Sequence, residues 1–234
     1  MLIDLLKRRF TTKNWDRTNL VTQEQTDYIL DCLNISPAKT AFPGYKLVIL
    51  TDSVEGKKLK NWLFYEHTWT SNGYMGVDSD KERDYKGQVL APLLLCFFND
   101  LSVANRGLIP GGEGMQETNL PCEEHRDANI FMSCMTAILA AEELELNSGI
   151  TTCHDQIEVA KKFGLENYKC PMMLGIGYAL DQKEFVEQDG WCTDVLDPVT
   201  DKKIGRVAAN FPAGREYKEL RTYRSDIRDI TQFI

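Results

Sequence analysis

The sequence predicts an α+β fold in which helices cover a mixed sheet. Two observations lead to this prediction. Four short apolar runs have the length and composition of buried strands, and capped amphipathic segments lie between them along the chain. Apolar residues make up 43% of the 234 residues, which is enough for one substantial core. We therefore expect a single domain over residues 1–234.

The N-terminal part of the chain begins with two predicted helices. Residues 2–9 place leucines on one helical face, and Arg9 follows where that helix should end. Thr22 and Gln25 form the pattern of a capping box ahead of a second apolar face, and Pro37 marks the stop. A helix-to-loop junction thus lies within a cluster of basic residues.

Three more helices are predicted further along the chain. Residues 53–69 look helical and are rich in aromatic side chains, and residues 129–146 are apolar almost all round for twelve residues. A helix of the second kind is typically buried in a core or in a subunit interface. Asp155 and Glu158 cap the last predicted helix, which Gly164 ends. These helices supply the cover that the sheet needs.

The strands are predicted from apolar runs that few polar residues interrupt. They occupy residues 45–51, 89–98, 149–152 and 170–179. A long connection follows the second strand at residues 100–124. Long connections in compact domains are usually lids or binding loops, so we expect a variable lid or substrate region at about residues 60–125.

Charge and composition exclude several kinds of partner. The net charge of −8 argues against a nucleic-acid or membrane surface, because both need Lys and Arg over a wide face. The start does not have the pattern of a signal peptide, and no run approaches the roughly 18 to 20 residues of a spanning helix, so we expect a cytoplasmic protein. Seven cysteines without a C-x-x-C pair, and three histidines without ligand spacing, predict reduced thiols and no metal site.

A basic cluster near the start contrasts with this acidic chain. Four cations within residues 7–13 surround the hydroxyls of Thr11 and Thr12. Four like charges repel one another unless an anion or solvent matches them, so the cluster is a candidate phosphate clamp. The alternative is a solvated helix end, where Lys and Arg favourably face the C-terminal dipole.

A second candidate site is the strand-to-helix turn in "TTCHDQIE", residues 151–158. Free backbone N–H groups at a helix start can hold an electron-rich ligand, although an ordinary connecting loop has the same pattern. Cys153 beside His154 leaves a thiol nucleophile open. "LGIGYA" (174–179) lacks the third glycine of a dinucleotide-binding fingerprint, and "PGGEG" (110–114) lacks the Lys-Ser/Thr of a phosphate-binding loop.

Together these stretches resemble the nitroreductase family of flavin enzymes. "RFTTK" (9–13) is similar to its opening R-x-S-x-R/K motif, and "ISPAKTAFPGYKLVIL" (35–50) is similar to its S-P-S-x-x-N-x-Q-P-W segment and strand. "LGIGYA" is similar to its G-x-G strand, and "AAEELELNSGITT" (140–152) to its central helix and following strand. The resemblance extends from residue 2 to about residue 215. It implies a mixed, mainly antiparallel sheet in an α/β/α sandwich that forms a homodimer.

The resemblance also implies a binding site for FMN. The residues implied are Arg9, Phe10, Thr11, Lys13, Pro37, Ala38, Thr152, Cys153 and Arg215. Those of the N-terminal cluster would hold the phosphate and ribityl chain, and Arg215 would close on the phosphate. Pro37 and Ala38 would border the isoalloxazine ring. Thr152 and Cys153 would present backbone N–H groups near flavin N5 and O4, which favours the reduced ring.

The activity that the resemblance implies is an FMN-dependent oxidoreductase. Such an enzyme takes a hydride from NADH or NADPH and passes electrons to a small organic acceptor such as a nitroaromatic or a quinone. No catalytic side chain is expected, because the cofactor carries the chemistry. Two alternatives stay open at this point: a protein of the same fold that binds flavin without turnover, and a thiol enzyme that uses Cys153.

Overall fold

The computed structural model describes residues 5–6, 9, 11–38, 44–64, 86–101, 123–152, 154–180, 192–196 and 203–208. The helices within these residues are α1 (Gln23–Asn34), α2 (Val54–Trp62), α3 (Glu123–Glu143) and α4 (Gln156–Lys162). The strands are β1 (Tyr45–Leu50), β2 (Leu93–Asp100), β3 (Asn147–Thr151), β4 (Tyr168–Gly177), β5 (Cys192–Leu196) and β6 (Lys203–Ala208). A short 3-10 helix, Gly87–Leu90, precedes β2.

The main sheet has four antiparallel strands in the order β1-β2-β4-β3. The hairpin of β5 and β6 forms a second, two-stranded sheet that the sequence analysis did not predict. Beside the outer strand β3, Thr11 adds a parallel bridge to Ser148. The predicted mixed, mainly antiparallel sheet is therefore confirmed.

Helices cover both faces of this sheet, because the central strand β2 alternates its apolar side chains between two cores. Leu95 lies in one core with Ile29 of α1 and Ile138 of α3. Cys96, the next residue, lies in the opposite core with Val159 of α4, and α2 packs against that core as well. Each fully buried large apolar side chain contributes about 1.5–3 kcal/mol relative to an exposed one. The predicted α/β/α sandwich is confirmed.

The predicted helix starts are confirmed in atomic detail. Thr22 Oγ1 accepts from the Gln25 backbone N–H at 3.1 Å, and Gln25 Oε1 accepts from the Thr22 N–H at 3.0 Å. These two bonds are the reciprocal capping box of α1. At the start of α4, Asp155 Oδ1 accepts two backbone N–H groups. Gly164 follows that helix with a φ of 70°, a left-handed conformation that glycine adopts at little cost.

Two strand predictions need correction. The first strand was expected to be buried, but only Leu50 of β1 is fully buried, since among the described residues β1 lies at the edge of the sheet with a neighbour on one side only. The second was expected to begin at Val89. That residue lies in the 3-10 helix instead, and the strand begins at Leu93, directly after Pro92, which has no N–H for a sheet ladder.

The helix that was expected to be buried in a core or in a subunit interface is α3, and one side of it is buried within the single chain. Ile130 and Ile138 of α3 are buried, but Phe131, Met132 and Met135 are 48%, 38% and 43% exposed. These three residues form an apolar stripe that faces outward in the single chain. No helix among the described residues is long and apolar enough to cross a membrane.

Other predicted segments are described only in part. Residues 5 and 6 are helical and the Arg9 N–H donates to the Leu5 carbonyl at 3.1 Å, while the rest of the helix predicted at 2–9 lies outside the described residues. The helix predicted at 53–69 is α2, and residues 65–69 lie outside as well. Much of the predicted variable region at 60–125 also lies outside the described residues.

A buried ion pair fixes α2 against the start of β2. Lys60 Nζ donates to Asp52 Oδ1 at 2.5 Å and to the carbonyl oxygens of Ala91 and Pro92 at 2.7 and 3.0 Å. All three ammonium hydrogens therefore have acceptors. Burial lowers the pKa of Lys60, and the nearby Asp52 carboxylate opposes that shift. The pair matters for stability because Lys60 without Asp52 would be a buried, unmatched charge, whereas Asp52 without Lys60 would keep only Lys57, at 3.9 Å.

Candidate functional site

The N-terminal basic segment is held against the outer strand β3. Thr11 bridges Ser148, and the Thr12 N–H donates to the Ser148 carbonyl at 2.9 Å. Further along, Trp15 bridges Ala179, and its Nε1 donates to the Gly87 carbonyl at 2.9 Å. Hydrogen bonds to three separate parts of the fold therefore fix this N-terminal segment. The sequence predicted only a helix-to-loop junction here.

The positions of the cations in this segment suit a surface ligand. Arg9 and Lys13 are half-buried, and Thr11 is exposed beside them. The neighbouring Thr12 is fully buried. The segment thus keeps Arg9 and Lys13 partly accessible and Thr11 exposed, while Thr12 packs into the fold. This arrangement can hold an anion by charge-assisted hydrogen bonds.

A glycine allows this close approach of backbone to backbone. A Cβ at Gly149 would lie 2.2 Å from the carbonyl oxygen of Thr12 and 2.9 Å from Gln88 Cγ. Real Cβ atoms do not approach a carbonyl oxygen so closely, so the contact requires glycine. A glycine inside a strand often marks such an approach. The glycine within the predicted strand was visible in the sequence. It could have indicated that another backbone segment packs closely against β3.

The turn after β3 is held by side chains on both sides of it. Thr152 is exposed. His154 Nε2 lies 2.6 Å from the carbonyl oxygen of Cys170, and since that oxygen only accepts, Nε2 carries the hydrogen. Asp155 caps α4 directly afterwards. The turn is therefore fixed between β4 and the start of α4.

The Cys170 carbonyl that accepts from His154 lies at an irregularity in β4. Phe97 pairs with Met172, but Asn99 pairs with Lys169, so β4 carries one extra residue between these pairs. A bulge of this kind leaves a residue outside the regular ladder. His154 donates to Cys170 within that bulge, which gives the histidine a structural role. Cys153, its neighbour, lies outside the described residues.

Pro37 and Ala38 are attached to a different part of the molecule. They follow the end of α1, where Ser36 Oγ is 3.0 Å from Thr136 Oγ1 of α3. Pro37 is exposed and Ala38 is half-buried. These two residues therefore follow a contact with α3, whereas Thr11 and Thr12 of the N-terminal cluster lie beside β3. Phe10 and Arg215 lie outside the described residues.

Polar groups near β3 that the sequence analysis did not single out are buried there. The side chains of Gln88 and Thr151 are almost fully inaccessible, as is that of Thr12. Gln88 Nε2 donates to the carbonyl of Ile150 at 3.3 Å. The glutamine that directly precedes the predicted apolar strand was the feature of the sequence that could have indicated a buried polar group, because a buried position there is normally apolar.

The described cysteines do not form a thiol centre. Cys32, Cys96, Cys134 and Cys170 are free thiols. Burial raises the pKa of Cys96 and of Cys134 to about 12, and it raises that of Cys170 well above its ordinary value. These three are protonated at neutral pH and are inert as nucleophiles. Among the described residues, no group of His, Cys, Asp and Glu side chains could hold a metal ion.

Comparison with known proteins identifies relatives of this arrangement. The model of the Nitroreductase family matches residues 6–178. A protein described as a nitroreductase, in complex with FMN, from Exiguobacterium sibiricum 255-15 is 16% identical with a TM-score of 0.61, covering 100% of this chain and 97% of its own. The nitroreductase family protein from Streptococcus pneumoniae TIGR4 is 17% identical with a TM-score of 0.57, covering 79% and 93%.

A third structure shows the breadth of proteins that share this fold. Iodotyrosine deiodinase bound to FMN and 3-iodo-L-tyrosine is 22% identical with a TM-score of 0.55, covering 78% of this chain and 92% of its own. At these identities the structural similarity establishes a common fold. No curated protein sequence matches the chain significantly.

Proposed function

Because the chain belongs to the nitroreductase family, we propose that it is an FMN-dependent oxidoreductase that takes a hydride from NADH or NADPH. It would pass the electrons to a small organic acceptor such as a nitroaromatic or a quinone. One observation carries the proposal: the basic N-terminal segment is fixed on β3 by the Thr12 N–H bond to Ser148, beside the strand that leads into the Thr152 turn.

The residues present fit a phosphate-bearing cofactor. Arg9 and Lys13 supply positive charge, and the exposed Thr11 supplies a hydroxyl donor. Guanidinium and ammonium groups bind phosphate through short, charge-assisted hydrogen bonds. In a chain of net charge −8, a local cation cluster is also expected to attract a small anion rather than a broad polyanion. Arg215 is proposed to contribute from the C-terminal side.

The turn after β3 is proposed to face the isoalloxazine ring. Bound FMN would supply the hydride-accepting and electron-transferring chemistry. The part of this chain is to orient the ring and to offer backbone N–H donors from Thr152 and Cys153. Donors that are already fixed favour an electron-rich ring without reorganising. The His154 bond to Cys170 and the Asp155 cap provide that fixation.

A second subunit is proposed to complete the site. The exposed stripe of α3, made of Phe131, Met132 and Met135, is apolar, and contiguous exposed apolar surface is typical of an interface. Pro37 and Ala38 adjoin the same helix through the Ser36 contact. In a homodimer that buries this stripe, these two residues of one subunit would approach the flavin held by its partner.

The dimer is tested by placing a charge in the stripe. Phe131→Asp should convert the dimer into a monomer or weaken it strongly, since a buried charge without a partner is costly. Val54→Asp is the matched control, because Val54 is also an exposed apolar helix residue but belongs to α2. Analytical ultracentrifugation at micromolar concentration distinguishes them. A wild-type monomer, or an intact dimer in the Phe131 variant, contradicts the proposal.

Cofactor binding is tested by titrating the apo-protein with FMN. Arg9→Ala should weaken binding by about 1.5–3 kcal/mol, the range for a charge-assisted hydrogen bond. Lys58→Ala is the control, because Lys58 is an exposed cation on α2 whose ion pair is with Glu55. Absence of saturable FMN binding, or equal affinity for the two variants, would remove the phosphate clamp from the proposal.

Turnover separates the enzyme from a protein that only holds flavin. Anaerobic addition of NADH or NADPH to the FMN-loaded protein should bleach the flavin absorbance. Cys153→Ser should then reduce the rate by less than about tenfold, whereas removal of a covalent nucleophile costs several orders of magnitude. Bound flavin that neither nucleotide bleaches would favour the binding protein, and loss of bleaching in the serine variant would favour the thiol.

A further inference from the structure

Within the part of the chain that the structure describes, three buried oxygens beside β3 have no hydrogen-bonding partner. They are Thr12 Oγ1, Thr151 Oγ1 and Gln88 Oε1. Each belongs to a residue that is almost completely inaccessible. Buried polar atoms in folded proteins are nearly always hydrogen-bonded, to protein or to ordered water. Three such atoms on neighbouring elements therefore require a common explanation.

The three residues meet beside one face of β3. A Cβ at Gly149 would lie 2.9 Å from Gln88 Cγ and 2.2 Å from the Thr12 carbonyl, so both residues lie over that position. Gln88 Nε2 also reaches the carbonyl of Ile150 at 3.3 Å. Thr151 is two residues after Gly149, and alternate strand residues face the same side of a sheet. Its side chain therefore points to the same side as Gln88.

We infer that an internal water molecule is bound between Thr12, Gln88 and Thr151. The hydrogen-bonding capacities match: a water accepts one hydrogen from each threonine hydroxyl and donates one to the glutamine oxygen. Buried waters typically make about three such bonds to groups that would otherwise be unsatisfied. The site offers three polar atoms, and polar surroundings with two to four partners are the condition under which an internal site holds a water.

The bound water joins three separate parts of the fold. Thr12 belongs to the N-terminal segment, Gln88 to the 3-10 helix and Thr151 to the end of β3. The residues next to two of them, Thr11 and Thr152, are exposed at the proposed cofactor site. The water thus couples the positions of those two surface residues. The inference that this water is present does not depend on whether FMN binds.

Substitution by valine tests the water site, because valine has nearly the shape of threonine without its hydroxyl. Thr12→Val and Thr151→Val should each raise the unfolding equilibrium constant of the full chain about five- to thirtyfold, since a bonded hydroxyl is lost. The double variant should show less than the product of the two effects, because both hydroxyls bind one water. The constants are measured by urea unfolding at one protein concentration.

Thr26→Val provides the control, since the Thr26 hydroxyl is bonded to the Thr22 carbonyl within α1 at 2.9 Å. It should destabilise the protein, and its effect should multiply with that of Thr151→Val. An unchanged or lower unfolding constant in either water-site variant would show a dry, unsatisfied hydroxyl and overturn the inference, as would multiplying effects in the double variant. A crystal structure at high resolution decides independently: electron density within about 3.2 Å of all three oxygens is expected, and its absence refutes the site.

Discussion

Gly149→Ala should damage both the stability of the protein and its affinity for FMN. The new Cβ would start 2.2 Å from the Thr12 carbonyl oxygen, while ordinary contact begins at 3.4 Å. The N-terminal segment must therefore move by more than an ångström. The hydrogen bond from the Thr12 N–H to Ser148, now 2.9 Å long, lies in the same segment and cannot survive that shift.

The magnitude follows from two contributions. Overpacking of a close contact costs about 1–3 kcal/mol, and a lost backbone hydrogen bond about 0.5–1.5 kcal/mol, so the free energy of unfolding should fall by about 1.5–4.5 kcal/mol. Displacing Thr11 and its basic neighbours should remove at least one charge-assisted contact to phosphate. That loss is about 1.5–3 kcal/mol, or roughly ten- to 150-fold in the dissociation constant of FMN.

Gly56→Ala is the matched control for this experiment. A Cβ at Gly56 would also lie 2.2 Å from a backbone carbonyl, that of Thr51, but at the start of α2. It should lower stability without changing FMN affinity. Urea unfolding measures the first quantity and fluorescence titration of the apo-protein measures the second. Equal FMN dissociation constants for the two variants, or unchanged stability in Gly149→Ala, would refute the coupling between β3 and the N-terminal segment.

Three further predictions concern stability. Lys60→Met should lower the free energy of unfolding by about 3 kcal/mol, the lower end of the range for breaking a buried pair, since it leaves Asp52 with only the Lys57 ammonium at 3.9 Å; the loss should be partly recovered when Asp52→Asn is added. Above pH 9, ionisation of the Cys96 thiol should lower the free energy of unfolding by about 1.4 kcal/mol per pH unit, because the pKa of this thiol is near 9.0 in the unfolded chain but about 12 in the folded protein. Cys96→Ala should reduce this dependence of stability on pH. An identical dependence in the variant would contradict the role given to Cys96. His154→Leu should cost about 1 kcal/mol through the lost bond to Cys170, and His154→Gln, which keeps an N–H donor, should recover part of it in urea unfolding.

Local features of this protein could be predicted from the sequence because their causes are local. The capping box of Thr22 and Gln25 joins residues three apart, so its pattern is visible in the chain itself. The Asp155 cap of α4 is of the same kind. The central strands β2 and β4 were visible as apolar runs, since a buried strand needs apolar side chains wherever it lies. Even the basic cluster is a local feature, and its charge could be counted.

The positions of these features relative to one another were decided by the tertiary structure. Nothing near Thr12 in the sequence indicates that it donates to Ser148, because 136 positions of chain separate the two and only the sheet brings them together. The edge position of β1 depends on strand order, which apolar content does not specify. The outward face of α3 likewise depends on which side the sheet occupies, so a helix apolar all round left core and interface equally open.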